Sequence, residues 1–242
     1  MNENPYEPPQ SPIGLAPDIV DRVQRAEVAA LFRRFLNEEI MAFEFDELLD
    51  KYRESPDSAV RFVTTTAWNH YDDCDDHLVA LSKPEWDYFQ RLMLLLESNC
   101  YIVSANTKRW SWTQLAAAAA LTGFISIAYS LGWGAHLFLV AVPFGIVSMA
   151  ISWYRYSIYN TAPYDPILFP FATFAELKSA YVATAFKKKL YPRQLRNRNV
   201  RSPVSTAYYQ LQFYFIWLIL SPIPLTFQML PRVEWQTNVV TA

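Results

Sequence analysis

The densest group of side chains that could do chemistry lies in one stretch of eight residues, His70-Tyr-Asp-Asp-Cys-Asp-Asp-His77. If a helix runs through it, His70 and Asp73 are three positions apart and Asp73 and His77 four, so these side chains share one helix face. Imidazole and carboxylate donors on one face can bind Zn²⁺, Mn²⁺ or Fe²⁺, and a neighbouring thiol favours zinc. The stretch therefore predicts a divalent-metal site at His70, Asp73 and His77, with Cys74 as a further ligand.

A purely structural interpretation of the same stretch competes with the metal site. The spacing differs from known zinc motifs such as His-Glu-x-x-His. Its aspartates could cap the helix that follows, and His70 continues the apolar face of Ala59 and Val63. We favour this interpretation, in which His70 is a hydrogen-bonded core histidine.

The remainder of the chain carries no enzyme signature. The sequence has no glycine-rich phosphate loop, no Gly-x-Ser-x-Gly elbow and no dinucleotide fingerprint. We therefore predict no catalytic residue and no organic cofactor, and we expect a protein without enzymatic activity.

Two long windows without Asp, Glu, Lys or Arg exclude a purely soluble protein. One covers residues 110–154 and the other residues 202–231. A helix needs about 20 apolar residues to cross a bilayer. The first window is long enough for two spans, with Gly132-Trp133-Gly134 as the turn between them, and its only histidine, His136, lies beside that turn near the outer interface. The second window predicts a third span.

The third predicted span contains Pro222 and Pro224, each of which removes a helical hydrogen bond. Such a span is either kinked or broken near Ser221 and re-entrant, and we favour the kinked span. The positive-inside rule then sets the orientation, because Lys108 and Arg109 precede the first span and Arg155 follows the second. The N-terminus is predicted to be cytosolic and the C-terminus outside.

The small net charge of −2 conceals two oppositely charged regions. Residues 1–109 carry 11 Lys and Arg against 20 Asp and Glu, whereas residues 155–201 carry 9 against 2. We expect Lys187, Lys188 and Lys189 to contact anionic lipid headgroups. On the same cytosolic side, the basic segment and the acidic domain could also attract each other. Nucleic acid is not expected as a partner, because no binding fold accompanies the cations.

Helical periodicity predicts a four-helix cytosolic domain before the membrane windows. A capping box at Ser82 and Glu85 predicts the start of the fourth helix, and Ser55-Pro56 predicts that of the third. An apolar stripe at Phe174, Leu177, Tyr181 and Ala185 predicts a further helix, lying in the headgroup layer. The fold class is therefore all-α. The predicted divisions are a disordered Pro-rich N-terminus (1–17), the cytosolic helical domain (18–109), a transmembrane hairpin (110–154), a basic segment with an interfacial helix (155–205), a third transmembrane helix (206–230) and a C-terminal tail (231–242).

Three sequence stretches carry a resemblance to a known family. They are Asn4-Pro-Tyr-x-Pro-Pro9, Trp68-Asn-His-Tyr-Asp-Asp-Cys74 and Glu85-Trp-Asp-Tyr-Phe-Gln-Arg-Leu92. They resemble a family of uncharacterised bacterial inner-membrane proteins with an N-terminal cytosolic helical domain. The resemblance implies a bacterial inner membrane and assigns no role to any residue.

These observations predict an integral inner-membrane protein that acts in interaction or scaffolding through its cytosolic helical domain. Its partners would be the lipid bilayer together with a protein or a second copy of the chain. Two alternatives stay open, namely a membrane-anchored metal-binding domain or metalloenzyme, and a subunit of a larger transport complex.

Overall fold

The computed structural model describes residues 19–68, 70, 75–159 and 165–241, and it is mostly helical. The described residues form two compact units. Unit 1 comprises the described residues up to Val103, the segment Leu168–Arg196 and the described residues from Asn238 onward. Unit 2 comprises Ser104–Ile167 and Asn197–Thr237. The elements in chain order are α1 Arg22–Leu36, α2 Ala42–Asp50, α3 Ser58–Trp68, α4 Lys83–Glu97, β1 Cys100–Arg109, α5 Trp112–Leu131, α6 Leu137–Tyr159, α7 Asp165–Leu168, α8 Phe174–Ala183, a 3₁₀ turn Arg193–Asn197, α9 Pro203–Ile219, α10 Pro222–Gln228 and β2 Arg232–Thr241.

Unit 1 is built around the four N-terminal helices that the sequence predicts. The apolar residues spaced at helical period on α1 are buried, and Phe32 contacts Phe45 and Phe89 at ring-centroid distances of 5.2 and 5.4 Å. Helix α4 is apolar nearly all round, and its residues from Phe89 to Leu96 are all buried. Such a helix is stable in water only when neighbours cover it on several sides.

The capping box that was predicted for α4 is confirmed. Glu85 Oε2 accepts a hydrogen bond from Ser82 N at 2.7 Å. Helix α3, in contrast, begins at Ser58, later than the predicted Ser55-Pro56 start. Asp57 Oδ1 accepts from Ala59 N at 2.9 Å, because a carboxylate is a strong acceptor for the free amides of a helix N-terminus.

The predicted interfacial helix is α8, and part of its apolar stripe is used inside unit 1. Ala180 is buried, and Leu177 and Tyr181 pack against the core of the unit. These side chains therefore pack within unit 1, and a place for α8 in the headgroup layer stays a prediction. Phe174, at the start of the stripe, is 57% exposed.

Unit 2 contains the predicted transmembrane hairpin. Helices α5 and α6 are long and apolar enough to cross a membrane. Gly132, whose φ is 76°, ends α5 and begins the turn predicted between the spans. Helices α9 and α10 pass the same test only as a pair, and they are bent by 82° at their break. The described residues thus contain two candidate spans, or three if the bent pair is one span.

The chain also contains two strands, so the all-α prediction is wrong in this respect. Strands β1 and β2 form a two-stranded sheet. The predicted C-terminal tail at 231–242 is therefore largely strand β2. Each strand is divided between the units, β1 after Val103 and β2 after Thr237. Such a pairing joins segments far apart in the sequence, and its only local signals are short runs of β-branched residues.

Candidate functional site

His70 of the predicted metal site lies in an aromatic contact of unit 1. Helix α3 ends at Trp68, and the His70 ring lies 5.5 Å from the rings of Tyr88 and Phe89 on α4, measured between centroids. Burial lowers the pKa of the His70 imidazole below its usual value, although the Glu85 carboxylate opposes this shift. The contact favours a neutral, packed histidine.

His77 has a different set of neighbours. Its Nδ1 lies 2.7 Å from the Leu78 carbonyl oxygen, and its own carbonyl accepts from Ala42 N at 2.9 Å. The adjacent Asp76 carboxylate accepts from Phe43 N at 3.0 Å. The segment therefore caps the beginning of α2, an earlier helix than the one that sequence reasoning expected the aspartates to cap.

The premise that one helix face carries the three ligands is wrong, because α3 ends before His70 and residues 75–80 are not helical. Asp73 and Cys74 lie outside the described residues. Among the residues that are described, no group of three His, Cys, Asp or Glu side chains could hold a metal ion. Metal binding at His70 and His77 stays a prediction.

The three lysines predicted to contact lipid follow α8 in unit 1, and two of them bind residues of that unit. Lys188 Nζ lies 2.7 Å from Asp87 Oδ1, and Lys83 Nζ lies 2.7 Å from Asp87 Oδ2. Burial acts to raise the pKa of Asp87, but the hydrogen bonds from Lys188 and Lys83 lower it below its usual value. Lys189 donates through Nζ to Asn37 Oδ1 at 2.9 Å. Contact of Lys187 and its neighbours with lipid also stays a prediction.

A polar cluster that sequence reasoning missed lies among the apolar helices of unit 2. Ser148 of α6 is fully buried and Gln228 of α10 is 7% exposed. Gln228 Nε2 donates to the Ser148 carbonyl at 3.0 Å and to Ser152 Oγ at 2.8 Å. Trp217 Nε1 on α9 donates to Ser148 Oγ at 3.1 Å. These hydrogen bonds join α6, α9 and α10 through side chains in an apolar surrounding.

Arg155 lies at the edge of this polar cluster, near the C-terminal end of α6. Its Nε donates to Thr113 Oγ1 at 2.8 Å and its Nη2 to the Gln228 carbonyl at 2.6 Å. The guanidinium thus links α5, α6 and the end of α10. Sequence reasoning used Arg155 only as a marker of topology, and uncharged residues such as Gln228 carry no signal when a window is searched for charges alone.

A groove with a volume of about 510 Å³ lies beside Arg155 and Gln228. Its walls are mostly apolar side chains of α9 and α10, and its polar residues are grouped on α6 and at the end of α10. The lining residues are Ser152, Arg155, Phe213, Ile216, Trp217, Leu220, Ile223, Pro224, Phe227 and Gln228. A long apolar wall with one cation beside it suits an amphipathic anion.

Neither unit could be related to a protein of known activity. No protein-family model, no curated protein and no solved structure matches the chain. Function is therefore inferred from the geometry of the two units alone.

Proposed function

We propose that the chain is an integral membrane protein with α9 and α10 as a re-entrant loop, and with both ends of the described chain on the cytosolic side. The observation behind this proposal is the composition of unit 1. One segment of unit 1 precedes α5, a second follows α6 and a third follows α10. Val239 of the third segment is buried in the core of the unit. A folded polar unit lies on one side of a membrane, so the chain returns to that side after each excursion.

Because the chain is again on the side of unit 1 after α10, it must cross the membrane an even number of times. Helices α5 and α6 supply two, and the 82° bend at Ser221 lets α9 and α10 enter and leave on the same side. Backbone that is not helical at membrane depth is tolerated where protein buries it. Ser221 is fully buried, and its hydroxyl donates to the Ala141 carbonyl of α6 at 2.8 Å. This proposal replaces the kinked third span and the outside C-terminus that the sequence predicts.

The topology is tested with reporters fused after the last residue of the full chain. We expect a green fluorescent protein fusion to fluoresce and an alkaline phosphatase fusion to be inactive, because the former folds in the cytosol and the latter outside it. A phosphatase inserted at Trp133, in the turn between α5 and α6, is the control and should be active. An active phosphatase at the C-terminus would contradict the re-entrant loop.

Within this topology, we propose that unit 2 binds an anionic lipid in the groove between α6, α9 and α10. The apolar walls belong to helices of membrane composition, so they suit an acyl chain. Arg155 at the polar end of the groove suits the negative headgroup, since guanidinium groups pair well with phosphates. The observation that supports this proposal is that the apolar walls and Arg155 belong to the same groove.

Lipid binding is tested by reconstituting the chain in vesicles of phosphatidylcholine with brominated phosphatidylglycerol, or with brominated phosphatidylcholine in its place. Bromine quenches tryptophan fluorescence. The difference in quenching between the wild type and Trp217→Phe gives the quenching of Trp217 alone. We expect Trp217 to be quenched more by the brominated phosphatidylglycerol. Arg155→Gln should remove this preference and Arg155→Lys should keep most of it, whereas Arg109→Gln, outside the groove, should change nothing. Equal quenching by the two lipids in the wild type would contradict the proposal.

The interaction or scaffolding role of the helical unit also stays a proposal. Crosslinking in native membranes, followed by purification of the chain, tests it. A crosslinked partner or dimer that requires unit 1 would support the role, and a chain recovered only as a monomer would count against it.

A further inference from the structure

Gln90 is a buried amide in the middle of the apolar helix α4. Its exposed fraction is 0%, and its Oε1 accepts a hydrogen bond from Lys189 N at 3.0 Å. That bond fixes which end of the amide is oxygen and which is nitrogen. The Nε2 has no hydrogen-bond partner among the residues that the structure describes.

An unsatisfied donor of this kind is costly. Leaving a buried N–H group without an acceptor destabilises the folded state, because the group has lost its hydrogen bond to water. Leu or Met at this position in α4 would avoid that cost but would remove the acceptor of Lys189 N. The Oε1 of Gln90 thus has a role within unit 1, and a ligand that supplies an acceptor would satisfy its Nε2.

Gln90 lines a cavity with a volume of about 210 Å³ inside unit 1. Side chains of α1 and α4 form one wall, and the segment that follows α8 forms the other. The lining residues are Arg33, Leu36, Gln90, Met93, Glu97, Ala185, Phe186, Lys187 and Lys189. The residue with the unsatisfied donor therefore lines a cavity that is large enough for a small molecule.

The charged residues around the cavity favour an anion. Three are cations, Arg33, Lys187 and Lys189, and Glu97 is the only acid among the lining residues. Glu97 forms an ion pair with Arg33. A ligand with one or two negative charges would thus lie among an excess of positive charge and beside an amide donor.

We propose that this cavity binds the phosphate group of a small ligand, with Gln90 Nε2 donating to a phosphate oxygen and Lys187 and Lys189 supplying positive charge. An ammonium group has three donors, so Lys189 can keep its hydrogen bond to Asn37 while it contacts the ligand. Leu36, Met93 and Phe186 leave apolar surface for a small organic part. The site is separate from the lipid groove of unit 2 and does not depend on it.

The first experiment measures binding of radiolabelled inorganic phosphate to the full chain in detergent by equilibrium dialysis. We expect saturable binding by the wild type. Gln90→Glu keeps an oxygen for Lys189 N but replaces the donor with a negative charge, so it should weaken binding at least tenfold. Lys187→Gln should weaken it about threefold or more, and it tests the site even if Gln90→Glu fails to fold. Lys178→Gln on α8, outside the cavity, is the matched control and should bind as the wild type does.

A second experiment identifies the source of the phosphate group. The chain is placed in nanodiscs of phosphatidylcholine alone or with phosphatidic acid, and phosphate binding is measured again. Weaker binding with phosphatidic acid would assign the site to a lipid headgroup, and equal binding would assign it to a soluble phosphate compound. The proposal is overturned if the wild type does not bind phosphate, or if Gln90→Glu and Lys187→Gln both bind it as the wild type does.

Discussion

Arg25 and Asp57 form a bidentate ion pair that is almost entirely removed from solvent. Arg25 Nε lies 2.5 Å from Asp57 Oδ2 and Nη2 lies 2.9 Å from Oδ1, while the exposed fractions of the two side chains are 1% and 0%. Arg25 Nη1 also donates to the Ser98 carbonyl at 2.8 Å. The pair therefore ties α1 to the beginning of α3 and to the end of α4.

We expect Arg25→Met to destabilise unit 1 by about 3–5 kcal/mol, because it leaves the Asp57 carboxylate buried without its partner. The free energy of unfolding, obtained from urea titrations followed by tryptophan fluorescence, measures the effect. Arg33→Gln is the matched control. Its ion pair with Glu97 is partly exposed, and such surface pairs contribute about 0–1 kcal/mol. Equal losses in the two variants would contradict the importance given to the buried pair.

The stability of unit 1 should fall as the pH decreases below the ordinary pKa of histidine. Burial lowers the pKa of His70 in the folded state, so the unfolded state binds more protons when the pH lies between the two pKa values. Unfolding titrations at pH 7.5 and about pH 5.5 measure the loss. His70→Phe, which keeps the aromatic contact with Phe89, should lose less stability over the same interval. An identical pH dependence in the two proteins would contradict this assignment.

The contact between Lys188 and Asp87 should weaken in acid and in salt. Because its hydrogen bonds lower the pKa of Asp87, the stability that they add is present above the ordinary aspartate pKa and is lost as the pH falls through the lowered value. Limited trypsin digestion after Lys187–Lys189 measures release of this segment. At neutral pH we expect faster cleavage in 1 M salt, which screens exposed charges within about 3 Å, than in low salt. Asp87→Asn should be cleaved quickly at both salt concentrations. A wild-type cleavage rate that does not change with salt would contradict the expectation.

Helices α6 and α9 cross closely at Gly145. A Cβ atom there would lie 2.7 Å from Leu218 Cα and 2.8 Å from its carbonyl oxygen. Gly145→Ala must therefore push backbone apart, and overpacking of this kind costs about 1–3 kcal/mol. Gly123→Ala is the control, because its Cβ would meet only the Phe144 ring, at an ordinary 3.5 Å. Thermal unfolding in detergent should show a lower midpoint for Gly145→Ala alone, and equal midpoints would contradict the close crossing.

Local patterns predicted most of the helices and little of the candidate sites. The stripe on α1 and the capping box at Ser82 depend on residues within one or two turns of each other, so both can be read directly from the sequence. Gln228 and Gln90 gave no signal. Each is one neutral amide in its helix, and its importance depends on a hydrogen bond to a residue 80 or 99 positions away.

The sequence by itself determined where the two long apolar helices that could cross a membrane lie and where the turn between them falls, because charge-free windows and a glycine turn are local properties. It also determined the acidic and basic regions. Only the tertiary structure decided that β1 pairs with β2, that the basic segment returns to α4, and that α9 and α10 bend sharply at Ser221. Those features depend on which distant surfaces fit together, and a bent helix pair has the same composition as a straight span.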